Sequence, residues 1–218
     1  GRHRRRPGQA DPLRRRRPDR GLPRAVERRL EHAVYRAGNQ GFHQRLQALS
    51  AAQQQAFMAA LCERLLPNYA LYAQMAESGN PAALRAILDL VWERLSVREA
   101  RIDFERQAEK LAELEPASID DSFGARRATE AVVALASLLD TLRGEAPEAV
   151  LEVSRISKSG VRAYIELTEG EEDAGKLAAL IREHPLMADE DSFQDAVLEA
   201  AEGQLDRESL KALRKLGR

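Results

Sequence analysis

Cys62, Glu63, Arg64, Asn68 and Tyr69 set a thiol, a carboxylate, a guanidinium, an amide and a phenol close together at the end of an apolar helix. A thiol becomes a nucleophile when a nearby cation or a helix N-terminus lowers its pKa. Cys62 has the opposite setting, well inside the helix with Phe57, Met58, Leu61, Leu65 and Leu66 around it, and Arg64 points to another side. It reads as a buried small hydrophobe. Glu63, Arg64, Asn68 and Tyr69 are the better candidates for a ligand-binding cluster. Arg64 and Asn68 are i, i+4 neighbours if the helix continues through Pro67, and a proline break frees backbone carbonyls beside which pockets form. The plainer reading is preferred: Asn68 caps the next helix, Tyr69 packs, and Glu63 and Arg64 are solvated or salt-bridged.

Other constellations offer less. Asp89 and Glu93 lie one turn apart and away from the apolar stripe of their helix, so they are expected to face solvent. Paired carboxylates do acid–base work only where burial separates their pKa values. Ser154, Ser157, Lys158 and Ser159 crowd one segment, but a Ser–Lys dyad needs an oxyanion hole that the sequence does not show. Beyond the N-terminal segment the only histidines are His43 and His184, and no Glu-x-x-His pair occurs, so no metal site is expected. Gly-x-Gly-x-x-Gly, Gly-Lys-Ser/Thr and Gly-x-Ser-x-Gly are also missing. No catalytic residue is assigned, and no cofactor is expected.

The elements that must position these residues read as helices throughout. Ser50 and Gln53 form a capping box for a helix to Leu66, which Pro67 is expected to end, with a second short helix from Asn68 to Glu77. Asn80-Pro81 opens a helix whose Leu84, Ile87, Leu88, Val91, Trp92 and Leu95 form one stripe. Ser96 with Glu99 is expected to cap a charged helix to about Leu114. Further helices are expected over 122–142, 148–168, 171–183, 189–202 and 207–216, and nothing alternates for long enough to suggest a strand. The expectation is all-α: a compact multi-helix bundle of about eight helices with short connections.

Charge divides the chain into two materials. Residues 1–36 hold thirteen Arg against two Asp and two Glu, a net of +9, while the other 182 residues hold 21 Lys+Arg against 31 Asp+Glu, a net of −10. The 1–36 segment reads as a disordered Arg-rich arm ahead of a single helical domain over 42–218. Its Arg, Pro, Gly and Ala content points first to translated upstream sequence or a fragment end, then to an inert tail, and last to a phosphate-gripping arm. The single cysteine rules out an internal disulfide, and no apolar run is long enough to span a bilayer, so a cytoplasmic protein is expected.

Several segments, taken in order, resemble one family. They are Phe57 to Tyr72, Ile87 to Glu93, Ile102 to Glu105 leading into Glu109-Lys110-Leu111, Asp121 to Gly124, Val132 to Leu135, His184 to Met187, and Phe193-Gln194. Together they are similar to the YjaG-like bacterial proteins, a family of unknown function, over about residues 42–218. Where that family's central helix often shows an aromatic and a proline, this chain has Arg126-Arg127-Ala128. The resemblance implies an all-α, soluble bacterial protein and brings no catalytic or ligand residues with it.

The function expected is therefore binding without chemistry: a protein-interaction or regulatory domain acting on a partner or on another copy of itself. The alternative is an enzyme or small-ligand carrier with a pocket at the Glu63–Tyr69 break. Weak, nonspecific nucleic-acid affinity through the arm is a third reading. The acidic body is expected to repel phosphate backbones and to offer no basic face.

Overall fold

Helix caps decide where this chain begins and ends its elements, and burial decides how those elements stack. The computed structural model describes residues 41–218; the arm expected over 1–36 lies outside the described residues. Among the described residues there are nine helices and no strand: α1 Gly41–Ala48, α2 Ala51–Ala76, α3 Pro81–Ser96, α4 Phe104–Ala112, α5 Phe123–Leu142, α6 Ala149–Glu169, α7 Ala174–Glu183, α8 Pro185–Glu202 and α9 Arg207–Gly217. No helix among them is long and apolar enough to cross a membrane.

The long helix α2 is the axis of the bundle. Every residue from Ala56 to Glu63 is buried, and a helix apolar on all sides must be enclosed on all sides. Its largest interface is with α5, whose Ala125, Ala128, Ala131 and Ala134 are buried and admit close approach of the two helices. Helices α3, α6, α8 and α9 also pack on α2. Helix α1 adds Phe42, whose ring meets Phe57 edge-on at 6.4 Å between centroids.

Local signals held where their partners are neighbours in the chain. Gln53 N–H donates to Ser50 Oγ at 3.1 Å, and Ser50 N–H to Gln53 Oε1 at 2.9 Å. Asn80 Oδ1 accepts from Ala83 N–H at 3.0 Å ahead of Pro81, and Leu84, Ile87, Leu88, Val91 and Trp92 are all buried.

Four expectations are corrected. Pro67 does not end its helix: α2 runs unbroken from Ala51 to Ala76 with Pro67 inside. The ring removes the donor to the Glu63 carbonyl, which typically costs about 3 kcal/mol. Leu65, Leu66, Tyr69 and Tyr72 are buried on both sides of it, and each such burial contributes about 1.5–3 kcal/mol. Burial wins. The Ser96–Glu99 box does not form either, because Ser96 is the last residue of α3, and Asp103 caps α4 by accepting from Arg106 N–H at 2.9 Å. Helix α8 starts at Pro185 and not near 189, since His184 Nδ1 accepts from Leu186 N–H and proline suits the first helical position. Finally, α1 was not foreseen, and it offsets the element lost by joining two expected helices into α2.

Candidate functional site

Glu63, Arg64, Asn68 and Tyr69 share one helix but face two different places. Glu63 points inward, with its side chain fully out of water. Arg85 of α3 grips it bidentately, Nη1 to Oε1 at 2.7 Å and Nη2 to Oε2 at 2.8 Å. Trp92 Nε1–H donates to Oε1 at 3.0 Å, while Arg214 and Arg218 bring their Nε atoms to 3.4 and 3.7 Å. Burial pushes the Glu63 carboxyl up. The hydrogen bonds and charge of Arg85, the Trp92 hydrogen bond and the Arg214 charge more than reverse this and hold it below its ordinary value. Asp89 joins the same network through Arg85 and Arg214, so it is paired and only half-exposed, while Glu93 is exposed as expected.

Tyr69 also points inward. Its hydroxyl donates to the Leu114 carbonyl at 2.7 Å and accepts from Asn80 N–H at 3.2 Å, tying the end of α4 to the start of α3. Gly79, at φ 81°, passes so close that an added Cβ would lie 2.6 Å from this oxygen. Glu63 and Tyr69 are thus built into the core. Cys62 is fully buried, and burial followed by the Glu63 charge pushes its thiol well up, away from the thiolate.

Arg64 and Asn68 face outward and line a cleft of about 460 Å³ between α2, α5, α6 and α8. Its apolar wall comes from Leu65, Phe123, Val161, Tyr164 and Leu186. Arg64 stacks its guanidinium 4.2 Å from the Phe193 ring centroid, and its Nε lies 4.0 Å from Glu190 Oε2. Glu190 is buried at the cleft wall. Its Oε1 accepts from the Ser157 hydroxyl and from Gln194 Nε2 at 2.9 Å, so Oε2 is the oxygen left for Arg64. Arg127 sits over Phe123, 4.7 Å from the centroid, and its Nε is 2.5 Å from Glu130 Oε1. Gly160 on α6 admits that pair, since a Cβ there would meet Glu130 Oε1 at 3.4 Å.

A second cleft of about 380 Å³ adjoins the first and shares Asn68, Phe123 and Arg127 with it. It continues past Leu71 and Met75, which are 60% and 78% exposed. Arg64, Asn68, Leu71 and Met75 are spaced i, i+4, i+7 and i+11, one stripe roughly 16 Å long at the helical rise. Among the described residues, no group of three or more His, Cys, Asp or Glu could hold a metal ion.

The family described as "Protein of unknown function (DUF416)" matches residues 41–218. The chain belongs to the DUF416 family. It is 43% identical over 129 residues to "Uncharacterized protein YjaG" of Escherichia coli and of Salmonella typhimurium, covering 58% of this chain and 65% of each relative. An uncharacterised protein of Haemophilus influenzae is 44% identical over 131 residues, 59% of this chain and 67% of its own. The chain thus spans somewhat under two thirds of the length of the YjaG proteins it matches. The crystal structure of a DUF416 family protein from Shewanella baltica superposes with a TM-score of 0.74 at 34% identity, covering 81% of this chain and 93% of that one.

Sequence reasoning gives no role in this DUF416 chain to Arg85, Arg214 and Arg218 around Glu63, nor to Glu190 and Gln194 at the cleft wall. Ser154 and Ser157 share a segment with Lys158 but form no dyad with it. Instead both hydroxyls are buried and given to α8, Ser154 to Gln194 and Ser157 to Glu190. Lys158 lies apart, 3.8 Å from Asp191. A serine pair at i, i+3 on α6 facing a carboxylate and an amide at i, i+4 on α8 was the available signal. It required knowing that the two helices pack.

Proposed function

We propose that this DUF416 protein is a binding domain without chemistry of its own, and that the groove along α2 seats an amphipathic helical segment of a partner polypeptide. The observation that carries it is the fusion of two clefts through Asn68, Phe123 and Arg127 into one open, apolar-floored groove with Leu71 and Met75 exposed along it. A groove about 16 Å long suits three turns of helix better than a compact molecule. Flexible methionine is well suited to such a surface. Charge also favours a peptide: Arg127 stands where the clefts join, with Asp120 lining only one and Asp189 only the other. A segment with a central acidic residue and basic flanks complements that order. A reducing, cytoplasmic setting belongs to this reading and rests on Cys62 being the single cysteine.

The Glu190 carboxylate beside Arg64 favours a second reading, a small ligand held in the larger cleft by one acidic and one basic group. A photo-crosslinking residue placed at Met75 separates the two. A discrete polypeptide adduct is expected, absent when the same residue replaces Glu99 and lost when Leu71→Glu is added. No adduct, or one indifferent to Leu71→Glu, overturns the docking proposal. A bound small molecule seen by native mass spectrometry in its place supports the second reading.

A further inference from the structure

Away from the α2 groove, helix α6 carries Arg155, Lys158 and Arg162 at i, i+3 and i+7, one face of the helix. His43 of α1 faces the same space, and the four line a cleft of about 780 Å³ in which Glu148 and Glu152 are the acidic side chains. Glu152 is committed to Arg155 by an ion pair. Lys158 is held in place, its Nζ 5.0 Å from the Phe42 ring centroid and 3.8 Å from Asp191. Arg162 has no acidic partner among the described residues. Pro147, Ala149 and Leu151 supply an apolar wall. On residues 37–218, which carry a net charge of −10, three cations on one helix face are a departure from the expected absence of a basic face, with Arg155 and Lys158 paired to Glu152 and Asp191 and Arg162 open to a ligand.

We infer that this cleft binds a small organic phosphate. The guanidinium of Arg162 can present a fork of N–H donors to phosphate oxygens, and the exposed Arg155 can add a second by exchanging Glu152 for the ligand. Lys158 adds a compact charge beside Asp191, and the apolar wall receives the organic body. The volume lies in the range of small-molecule sites. A long polyanion is disfavoured, because the acidic body surrounding the cleft repels it.

Residues 1–36 carry a net charge of +9 and would compete for phosphate, so the test needs a reporter inside the cleft. The imidazole resonances of the full chain are followed by NMR while inorganic pyrophosphate or adenosine triphosphate is added, with His43→Gln giving the assignment. A saturable shift of the His43 signal is expected, with His184 unmoved. The double variant Arg155→Gln, Arg162→Gln alters two exposed side chains and should melt like the parent, yet bind roughly tenfold or more weakly at His43. Tighter binding of the nucleotide than of pyrophosphate supports a role for the apolar wall; equal binding supports recognition of phosphate alone. A stationary His43 signal, an undiminished shift in the double variant, or shifts confined to His3 and His32 would overturn the inference.

Discussion

At position 63 a carboxylate is withdrawn from water and surrounded by Arg85, Arg214, Arg218 and the Trp92 indole. A pair of this kind adds little net stability over apolar packing, but removing one partner strands the other. Glu63→Gln is expected to cost about 2–4 kcal/mol at neutral pH, less than a fully buried break because Arg85 is a third exposed and recovers water. The pH dependence has a definite sign. The folded Glu63 pKa is depressed, so its contribution is present above the unfolded value of about 4.3 and is lost as pH falls through the lower folded value. Denaturant melts should therefore show the gap between wild type and Glu63→Gln narrowing below that pH. Glu130, whose carboxyl burial raises despite Arg127, runs the opposite way but is common to both proteins and cancels. A constant gap across pH would mean that Glu63 is not ionised in the fold. Trp92→Ala removes the indole donor and empties a core site, for an expected loss of about 3–5 kcal/mol in the same melts.

At the scale of the element, α2 tolerates a proline because its two halves are pinned independently. Pro67 itself is exposed, so restoring the N–H there need not disturb packing. Pro67→Ala regains the bond to the Glu63 carbonyl, at the cost of a more flexible unfolded chain worth about 0.4–1 kcal/mol. The expected net is a modest rise in Tm; a fall would show that the proline sets a bend on which the packing depends. Helix α9 is held differently, by close approach. A Cβ at Gly217 would stand 2.6 Å from Glu63 Cβ and also collide with the Ala60 carbonyl. Gly217→Ala is expected to push α9 off α2, lowering Tm and raising hydrogen exchange in α9 before the rest of the bundle.

At the scale of the molecule, the core cluster among the described residues runs from Phe42 to Leu213 and draws on every one of the nine helices except α7. The capping signals and apolar stripes of the sequence all lie after residue 41, so removing residues 1–40 is expected to leave the thermal transition within a few degrees of the full chain. A larger drop would show that the N-terminal segment contributes to the body. The truncated protein is also expected to lose any nonspecific affinity for DNA or RNA, since its net charge is negative. Sequence-selective binding by the truncated protein, measured at low and physiological salt, would contradict that.

The sequence by itself determined what depends on neighbours in the chain. The caps at Ser50 and Asn80, the stripe from Leu84 to Trp92 and the inert setting of Cys62 all follow from side chains close in the chain. The tertiary structure decided the rest. Whether Pro67 stops a helix is a contest between one lost hydrogen bond and the burial of its flanks against distant helices. Glu63 finds Arg85 and Trp92 at separations of 22 and 29 residues, and Ser157 finds Glu190 at 33. The α2 groove takes Arg64 and Asn68 from the expected cluster and completes them with residues of α5, α6 and α8, while Glu63 and Tyr69 turn inward. Helical periodicity says which residues share a face. Which faces meet is set only by packing all the helices at once.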